Sequence, residues 1–175
     1  RMEVFRIGEV IPADSEGRKF QVVHQSEPVA IIGCGPAGLF AAIRLIELGY
    51  RPVVIERGKP VRERRRDLAL LNRGGEVNPN SNYCFGEGGA GTYSDGKLYT
   101  RSDKRGNVRR ILDTFVEFGA SPDITIDAHP HIGTNKLPDI ISAMSNRIRE
   151  CGGEIIFNCR FTGFVHDDKK ITGVR

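Results

Sequence analysis

Three glycines at the spacing G-x-G-x-x-G, Gly33, Gly35 and Gly38, are the residues of this 175-residue chain whose pattern indicates a specific chemistry. They follow the apolar run Val29 to Ile32, which predicts a buried strand, and they precede a helical pattern that ends at Gly49. The first glycine permits a tight turn, the second lets a phosphate approach the backbone, and the third lets the helix lie close to the sheet. Free N–H groups and the dipole at the helix start favour negative charge, so the motif predicts a pyrophosphate-binding turn.

A carboxylate, Glu56, follows the second apolar run, Val53 to Ile55. It lies 23 residues after Gly33, where it can accept hydrogen bonds from both hydroxyls of a ribose. Together the strand, turn, helix and second strand form a βαβ unit, which is the context that the glycine fingerprint requires. The charge of Glu56 speaks against a ribose 2′-phosphate and hence against NADP, although Arg57 beside it weakens that argument. The unit alone does not choose between FAD and NAD.

Composition and charge limit the classes of protein that are possible. Hydrophobic content of 39% and charged content of 27% are typical of one globular domain or part of one. No apolar run approaches about 18 residues and no signal peptide is visible, so we expect no membrane span and a cytoplasmic location. The four cysteines lack CxxC and paired Cys/His spacings, which argues against a zinc site.

The remaining elements predict an α/β fold, a Rossmann-like three-layer FAD/NAD(P)-binding domain with a β-hairpin near the C-terminus. Residues 1–27 are expected to be a tail or an edge hairpin, with short strands at Val4–Ile7 and Phe20–Val23. Residues 28–175 are expected to be the N-terminal part of the domain, because the chain lacks an initiator Met and ends in a strand that has just begun. The elements predicted after the βαβ unit are a helix from Pro60 to Arg73, a glycine-rich stretch from Asn78 to Thr100, a helix from Asn107 to Phe118, a short strand at Ile124 and Ile126, a helix capped by Thr134 and running to Cys151, a strand from Glu154 to Asn158, and strands 160–165 and 170–175 around the turn Asp167-Asp168.

The glycine-rich stretch is the second segment with a predicted function. Its small residues, Gly86 and Gly88 to Gly91, let the backbone approach a flat or bulky group closely. A long loop of this kind in a compact domain is usually functional or disordered. An ordinary flexible loop is the alternative.

The βαβ unit followed by this stretch resembles the FAD-dependent dehydrogenase-like flavoproteins, whose FAD-binding fold is shared with glutathione reductase, fumarate reductase and geranylgeranyl reductase. The segments GEGGAGTYSDGKL and HPHIGTNKL are most similar to a group of large bacterial FAD-dependent dehydrogenases. The resemblance covers residues 28–175 and implies FAD as the cofactor.

The resemblance also implies roles for individual residues. The FAD pyrophosphate would be held by Gly33, Gly35, Pro36, Ala37 and Gly38. Glu56 would bind the adenosine ribose, and Arg57 would flank the adenine. The stretch passing near the flavin or its ribityl chain would consist of Gly88, Gly89, Ala90, Gly91 and Thr92. A backbone contact to the adenine would come from Phe161, where relatives often have valine.

No residue stands out as the catalytic acid or base, so the catalytic residues are left unassigned. His129 and His131 are the candidates for a proton donor, because histidine as a residue type can serve as an acid or base near neutral pH, although polar capping of a strand end is the more favoured interpretation. Lys97 could face the flavin as a cation or could be a turn lysine. Cys84 has no partner at CxxC spacing and is expected to pack as a small apolar residue.

A flavin oxidoreductase of unknown small-molecule substrate is the function that we favour, with NAD(P)H as a candidate reductant. A NAD-dependent dehydrogenase, an RNA-modifying flavoprotein and a non-catalytic nucleotide sensor are the alternatives. The net charge of +4 is concentrated between Arg57 and Arg73. A solvated helical face explains this concentration better than a nucleic-acid site, so we expect no nucleic-acid partner.

Overall fold

A computed structural model describes residues 19–100, 106–133 and 135–175 of the chain. In chain order the elements are β1 (Pro28–Ile32), α1 (Pro36–Glu47), β2 (Arg51–Ile55), α2 (Val61–Asn72), α3 (Val108–Glu117), a 3₁₀ helix (Pro122–Thr125), α4 (Leu137–Glu150), β3 (Glu154–Ile156), β4 (Phe164–Asp167) and β5 (Lys170–Val174). The long segment between α2 and α3 contains the glycine-rich stretch.

The first three strands form a parallel sheet in the order β1-β2-β3. Ile32 pairs with Ile55, and Ile55 pairs with Ile156, so the carboxyl ends of the three strands lie at one edge. In open parallel sheets this edge is where ligands bind. The predicted α/β fold class is confirmed.

The core lies between the sheet and two helices, α1 and α4, which pack on each other. Its largest contributors are apolar side chains at helical spacing on the two helices, namely Leu39, Ile43 and Ile46 on α1 and Ile140, Met144 and Ile148 on α4. Val54 of β2 is fully buried beneath them. Gly38 has no room for a side chain, because a Cβ there would lie 2.0 Å from the carbonyl oxygen of Gly33. The predicted close contact between helix and sheet is therefore present.

The predicted C-terminal hairpin is confirmed, with different strand limits. The antiparallel strands β4 and β5 pair Phe164 with Val174 and Asp167 with Lys170. Asp168 adopts a positive φ of 49° in the turn, a conformation that aspartate tolerates better than most residues. The first strand starts at Phe164, later than the predicted Arg160.

The strand predicted at Ile124 and Ile126 is wrong, because this segment begins as a 3₁₀ helix. The hydroxyl of Ser121 caps its start by accepting the N–H of Asp123, and Pro122 provides a φ suited to the first helical position. Ile124 is buried, while Ile126 is 80% exposed. Local capping thus overrides the apparent alternation of apolar residues.

The N-terminal hairpin and one helix cap fall largely outside the described part of the chain. Val4–Ile7 and Thr134 are not among the described residues. Phe20–Val23 is described and is not a strand. Val23 is nevertheless fully buried, and its N–H donates to the carbonyl oxygen of Cys151 at 2.7 Å, so this segment packs on the domain.

In the described residues, no helix combines the length and the apolar composition needed to cross a membrane.

Candidate functional site

The glycine turn has the geometry that its sequence predicts. Gly33 adopts a φ of +96° directly after β1, and its N–H donates to the carbonyl oxygen of Ile55 at 2.8 Å. Gly35 is the N-cap of α1, and no side chain caps this helix end. A Cβ built on Gly35 meets no heavy atom within 4 Å, so open space lies in front of the turn. An uncapped helix start facing open space suits an anionic group.

Glu56 is buried and holds the turn together. The side chain is only 5% exposed. Its Oε2 accepts the N–H of Cys34 at 2.7 Å. Its Oε1 accepts the N–H groups of Gly58 at 2.8 Å and Gly86 at 3.1 Å. One carboxylate therefore connects the glycine turn, the end of β2 and the glycine-rich stretch, while the ribose contact of Glu56 stays a prediction.

Cys34 is attached to the glycine-rich stretch through its backbone as well. Its carbonyl oxygen accepts the N–H of Gly88 at 2.7 Å. Its side chain is fully buried, and burial, with smaller contributions from the nearby carboxylates of Glu87 and Glu56, raises the pKa of the thiol. Cys34 is therefore a neutral packing residue in the middle of the glycine turn.

A cavity of about 420 Å³ opens at the carboxyl edge of the sheet. Its volume lies within the range of small-molecule sites. Six of the residues predicted to bind the cofactor line it, namely Gly33, Gly35, Glu56, Arg57, Gly89 and Phe161. Ile32, Cys84, Phe85 and Arg160 are among the other residues in its wall. The structure thus brings the turn, the carboxylate and the aromatic residue to one place.

Arg57 is held at the wall of this cavity by two kinds of contact. Its guanidinium lies over the ring of Phe85, 4.0 Å from the centroid. Its Nη2 donates to the carbonyl oxygen of Pro79 at 2.9 Å and to the amide oxygen of Asn80 at 3.0 Å. The side chain of Arg57 is thereby fixed in a position that faces the ligand space.

The other predicted residues take different positions. Pro36, Gly88, Gly91 and Thr92 line a second cavity of about 250 Å³, together with apolar side chains of α1, α3 and α4. Ala37 is exposed in the first turn of α1, and Gly38 is buried beneath it. Ala90 is exposed and lines neither cavity.

Two segments about 30 residues apart, which the resemblance picked out separately, meet in the fold. Lys97 and His131 form an antiparallel bridge. The N–H of Leu98 donates to the carbonyl oxygen of Pro130, and both Lys97 and His131 are exposed. Lys97 also forms an ion pair with Asp95 at 3.2 Å. The candidate cation and one candidate acid are thus neighbours, a pairing that the sequence did not predict.

Two buried charged residues, Arg64 and Glu87, were missed by sequence reasoning. The basic stretch predicted a solvated helical face, and for Arg64 this is wrong. The available signal was its spacing, since Val61, Arg64 and Leu68 follow the helical period and all three are buried. Cys84 also differs from expectation, because its side chain is exposed at the cavity instead of packed.

Comparison with known proteins gives the class of this chain. Residues 26–175 match the family described as FAD binding domain, and the chain belongs to that family. FAD is therefore the cofactor of this fold, in agreement with the open glycine turn and the cavity beside it.

Individual relatives add little beyond this class. The chain is 38% identical over 151 residues to an uncharacterized protein of Clostridium beijerinckii. The aligned region covers 86% of this chain but only 28% of that relative. It is also similar to L-amino acid deaminase from Proteus vulgaris, at 15% identity and a TM-score of 0.36, over 91% of this chain and 46% of that one. A likeness as remote as the second carries no functional conclusion.

Proposed function

We propose that this chain holds the adenosine and pyrophosphate half of FAD within a flavin-dependent oxidoreductase. The observation that carries the proposal is the cavity at the carboxyl edge of the parallel sheet, which unites Gly33, Gly35, Glu56, Arg57 and Phe161. Residues 28–175 form the N-terminal part of a Rossmann-like FAD-binding domain in this proposal, with the residues before them as an attached segment. By full-length protein we mean the chain that contains these residues together with whatever precedes and follows them.

Each group has a defined task toward the cofactor. The turn from Gly33 to Gly38 offers backbone N–H groups and the positive end of the α1 dipole to the pyrophosphate. Two cations at the cavity wall, Arg57 and Arg160, complement the phosphate charge. Phe161 and Ile32 provide apolar surface for the adenine. When bound, FAD supplies the capacity for hydride transfer, and the protein supplies its orientation and electrostatic environment.

The reaction partner is proposed at the level of class only. We propose a dehydrogenase in which NAD(P)H is a candidate electron donor that reduces the flavin and the small-molecule substrate accepts the electrons, with a cytoplasmic location. Family membership weighs against a simple NAD-dependent dehydrogenase. The burial of Arg64 removes one cation from the basic stretch that suggested an RNA substrate.

The absorption spectrum of the purified full-length protein tests the cofactor directly. We expect flavin bands that become bleached when NADH or NADPH is added anaerobically. A protein that purifies without flavin and shows no heat of binding on titration with FAD would refute the proposal. Bleaching by one nicotinamide and not by the other would identify the donor.

A further inference from the structure

Arg64 is a buried cation on a helix whose other arginines face solvent. Its side chain has no exposed surface, whereas Arg62, Arg65 and Arg66 are exposed. None of the ion pairs among the described residues involves Arg64. Burying an arginine without a carboxylate partner is costly, so its hydrogen bonds must compensate. Burial also lowers its pKa from the usual value.

All four hydrogen-bond acceptors of the Arg64 guanidinium belong to the glycine-rich stretch. Its Nε donates to the carbonyl oxygen of Asn82 at 2.8 Å, and its Nη2 donates to that of Tyr83 at 2.8 Å. Its Nη1 donates to the carbonyl oxygen of Glu87 at 2.8 Å and to the hydroxyl of Thr92 at 3.1 Å. A planar guanidinium with fixed donor directions therefore connects four positions between residues 82 and 92.

The same stretch is also hydrogen-bonded to the glycine turn and to Glu56. The N–H of Gly86 donates to Glu56, and that of Gly88 donates to the carbonyl oxygen of Cys34. Gly86 packs directly on the stem of Arg64, since a Cβ there would lie 2.5 Å from the Cδ atom of the arginine. The segment that Arg64 contacts is thus joined to the turn through one hydrogen bond to the Glu56 carboxylate and one to the Cys34 backbone.

A second buried charge fixes the stretch from the other side. The carboxylate of Glu87 accepts the N–H of Val61 at 2.6 Å, at the start of α2, and it accepts the hydroxyl of Ser145 from α4. Both ends of residue 87, its backbone carbonyl and its side chain, are therefore engaged. The stretch between Asn82 and Thr92 is therefore held by buried hydrogen bonds to both α2 and α4.

We propose that Arg64 is a positioning residue for FAD: its guanidinium holds residues 82–92 in the path that completes the cofactor cavity, without contacting the cofactor. This inference rests on the proposed FAD site. It explains why an arginine occupies the apolar face of α2, because only a forked donor can serve four acceptors at these positions. A lysine has three donors on one atom and cannot reach all four.

The test compares variants of the full-length protein by titration of the apoprotein with FAD. Since loss of charged hydrogen bonds is involved, we expect Arg64→Met to weaken FAD binding by about 10- to 100-fold and Arg64→Lys to restore only part of the affinity. Arg65→Met, one residue further along the same helix and exposed, should bind like the wild type. Ethylguanidinium added to Arg64→Ala should recover affinity and should have no effect on the wild type.

Hydrogen exchange identifies the cause of the loss. In Arg64→Lys, the amides of Gly86 and Gly88 should exchange faster, while those of α1 and α4 should be unchanged. This variant keeps the charge and most of the stem, so it carries the test if Arg64→Met does not fold. Wild-type FAD affinity and exchange in Arg64→Lys would overturn the inference. A wild-type protein that fails to bind FAD would instead remove the proposed function itself.

Discussion

The carboxylate of Glu56 accepts the backbone N–H of Cys34 at 2.7 Å, across 22 positions of sequence. The contact joins the residue at the end of β2 to the middle of the glycine turn that follows β1. The other oxygen of Glu56 accepts the N–H of Gly86, so the glycine-rich stretch is joined at the same point. Glu56 thus organises the site through backbone contacts, in addition to the ribose contact that its position predicts.

We expect Glu56→Gln to weaken FAD binding and to destabilise the turn. An amide has one acceptor oxygen in place of two, so at least one of the three N–H groups loses its partner. Each lost bond to a charged group costs roughly 1.5–3 kcal/mol. Calorimetric titration with FAD and a thermal melt of the apoprotein measure the two effects. Glu63→Gln, on the exposed face of α2, is the matched control. Unchanged FAD affinity with an intact fold would remove Glu56 from the site.

Gly35→Val should give a folded protein that binds no FAD. A Cβ built on Gly35 meets no heavy atom within 4 Å, and the φ of −77° at this position suits any residue. The new methyl groups would therefore occupy only the space through which the pyrophosphate approaches the turn. The measurement is the flavin content of the purified full-length variant, with circular dichroism to verify the fold. Stoichiometric FAD in Gly35→Val would place the phosphate elsewhere.

Gly38→Ala provides the contrasting case, because it should damage the fold. A Cβ at Gly38 would lie 2.0 Å from the carbonyl oxygen of Gly33, so β1 and α1 must separate. We expect a loss of stability of about 1–3 kcal/mol, as for other overpacked sites. Chemical denaturation of the apoprotein measures it. A wild-type midpoint would contradict the close contact between helix and turn.

Three of the four cysteines, Cys34, Cys84 and Cys151, should differ sharply in reactivity. The thiolate is the nucleophile, and burial raises the pKa of Cys34, so this thiol stays protonated and unreactive as the pH rises from about 7 to about 9. Burial likewise raises the pKa of Cys151. Cys84 is exposed at the cavity and should react rapidly, and more slowly with FAD present. Labelling with iodoacetamide and peptide mass mapping gives the rates. Equal labelling rates of Cys84 with and without FAD would show that FAD does not bind in this cavity.

Lys97→Met should keep FAD but lower the reduction potential of the flavin, because a cation near the ring favours the reduced anion. Dye-coupled titration of the full-length variant measures the potential, with Lys170→Met in the exposed hairpin as the control. A wild-type potential in Lys97→Met would remove Lys97 from the flavin environment.

In the same glycine-rich stretch, Gly89→Val should alter the flavin spectrum. The Cβ of a residue at this position would lie 3.1 Å from Pro36, and the backbone φ of +69° is strained for any residue other than glycine. An unshifted flavin spectrum would show that the glycine-rich stretch does not lie near the flavin ring.

The isolated 175 residues should bind FAD far more weakly than the full-length protein. The chain spans only 28% of its Clostridium relative, and we propose that the groups holding the flavin end of the cofactor lie outside it. Parallel calorimetric titrations of the two forms measure the difference. A dissociation constant of about 1 µM or below for the segment alone would contradict this division of the site.

The sequence by itself determined the βαβ unit and predicted that it binds a dinucleotide. Strand, glycine turn, helix and terminal carboxylate lie within about 30 residues, and each is specified by local spacing and by the space that a glycine leaves. The fold class, the helix α4 and the hairpin follow from the same kind of local periodicity. FAD as the cofactor came from the likeness of the βαβ unit and the segments GEGGAGTYSDGKL and HPHIGTNKL to flavoproteins.

Only the tertiary structure decided which partners the charged side chains take. Arg64 and Glu87 look like solvated charges in the sequence, and both are buried because residues 82–92 fold back onto α2. Lys97 and His131 are 34 positions apart, and their pairing depends on the path of everything between them. Hydrogen bonds between distant segments have no period in the sequence, since they are fixed by the path of the loop and the rigid donor geometry of groups such as the Arg64 guanidinium.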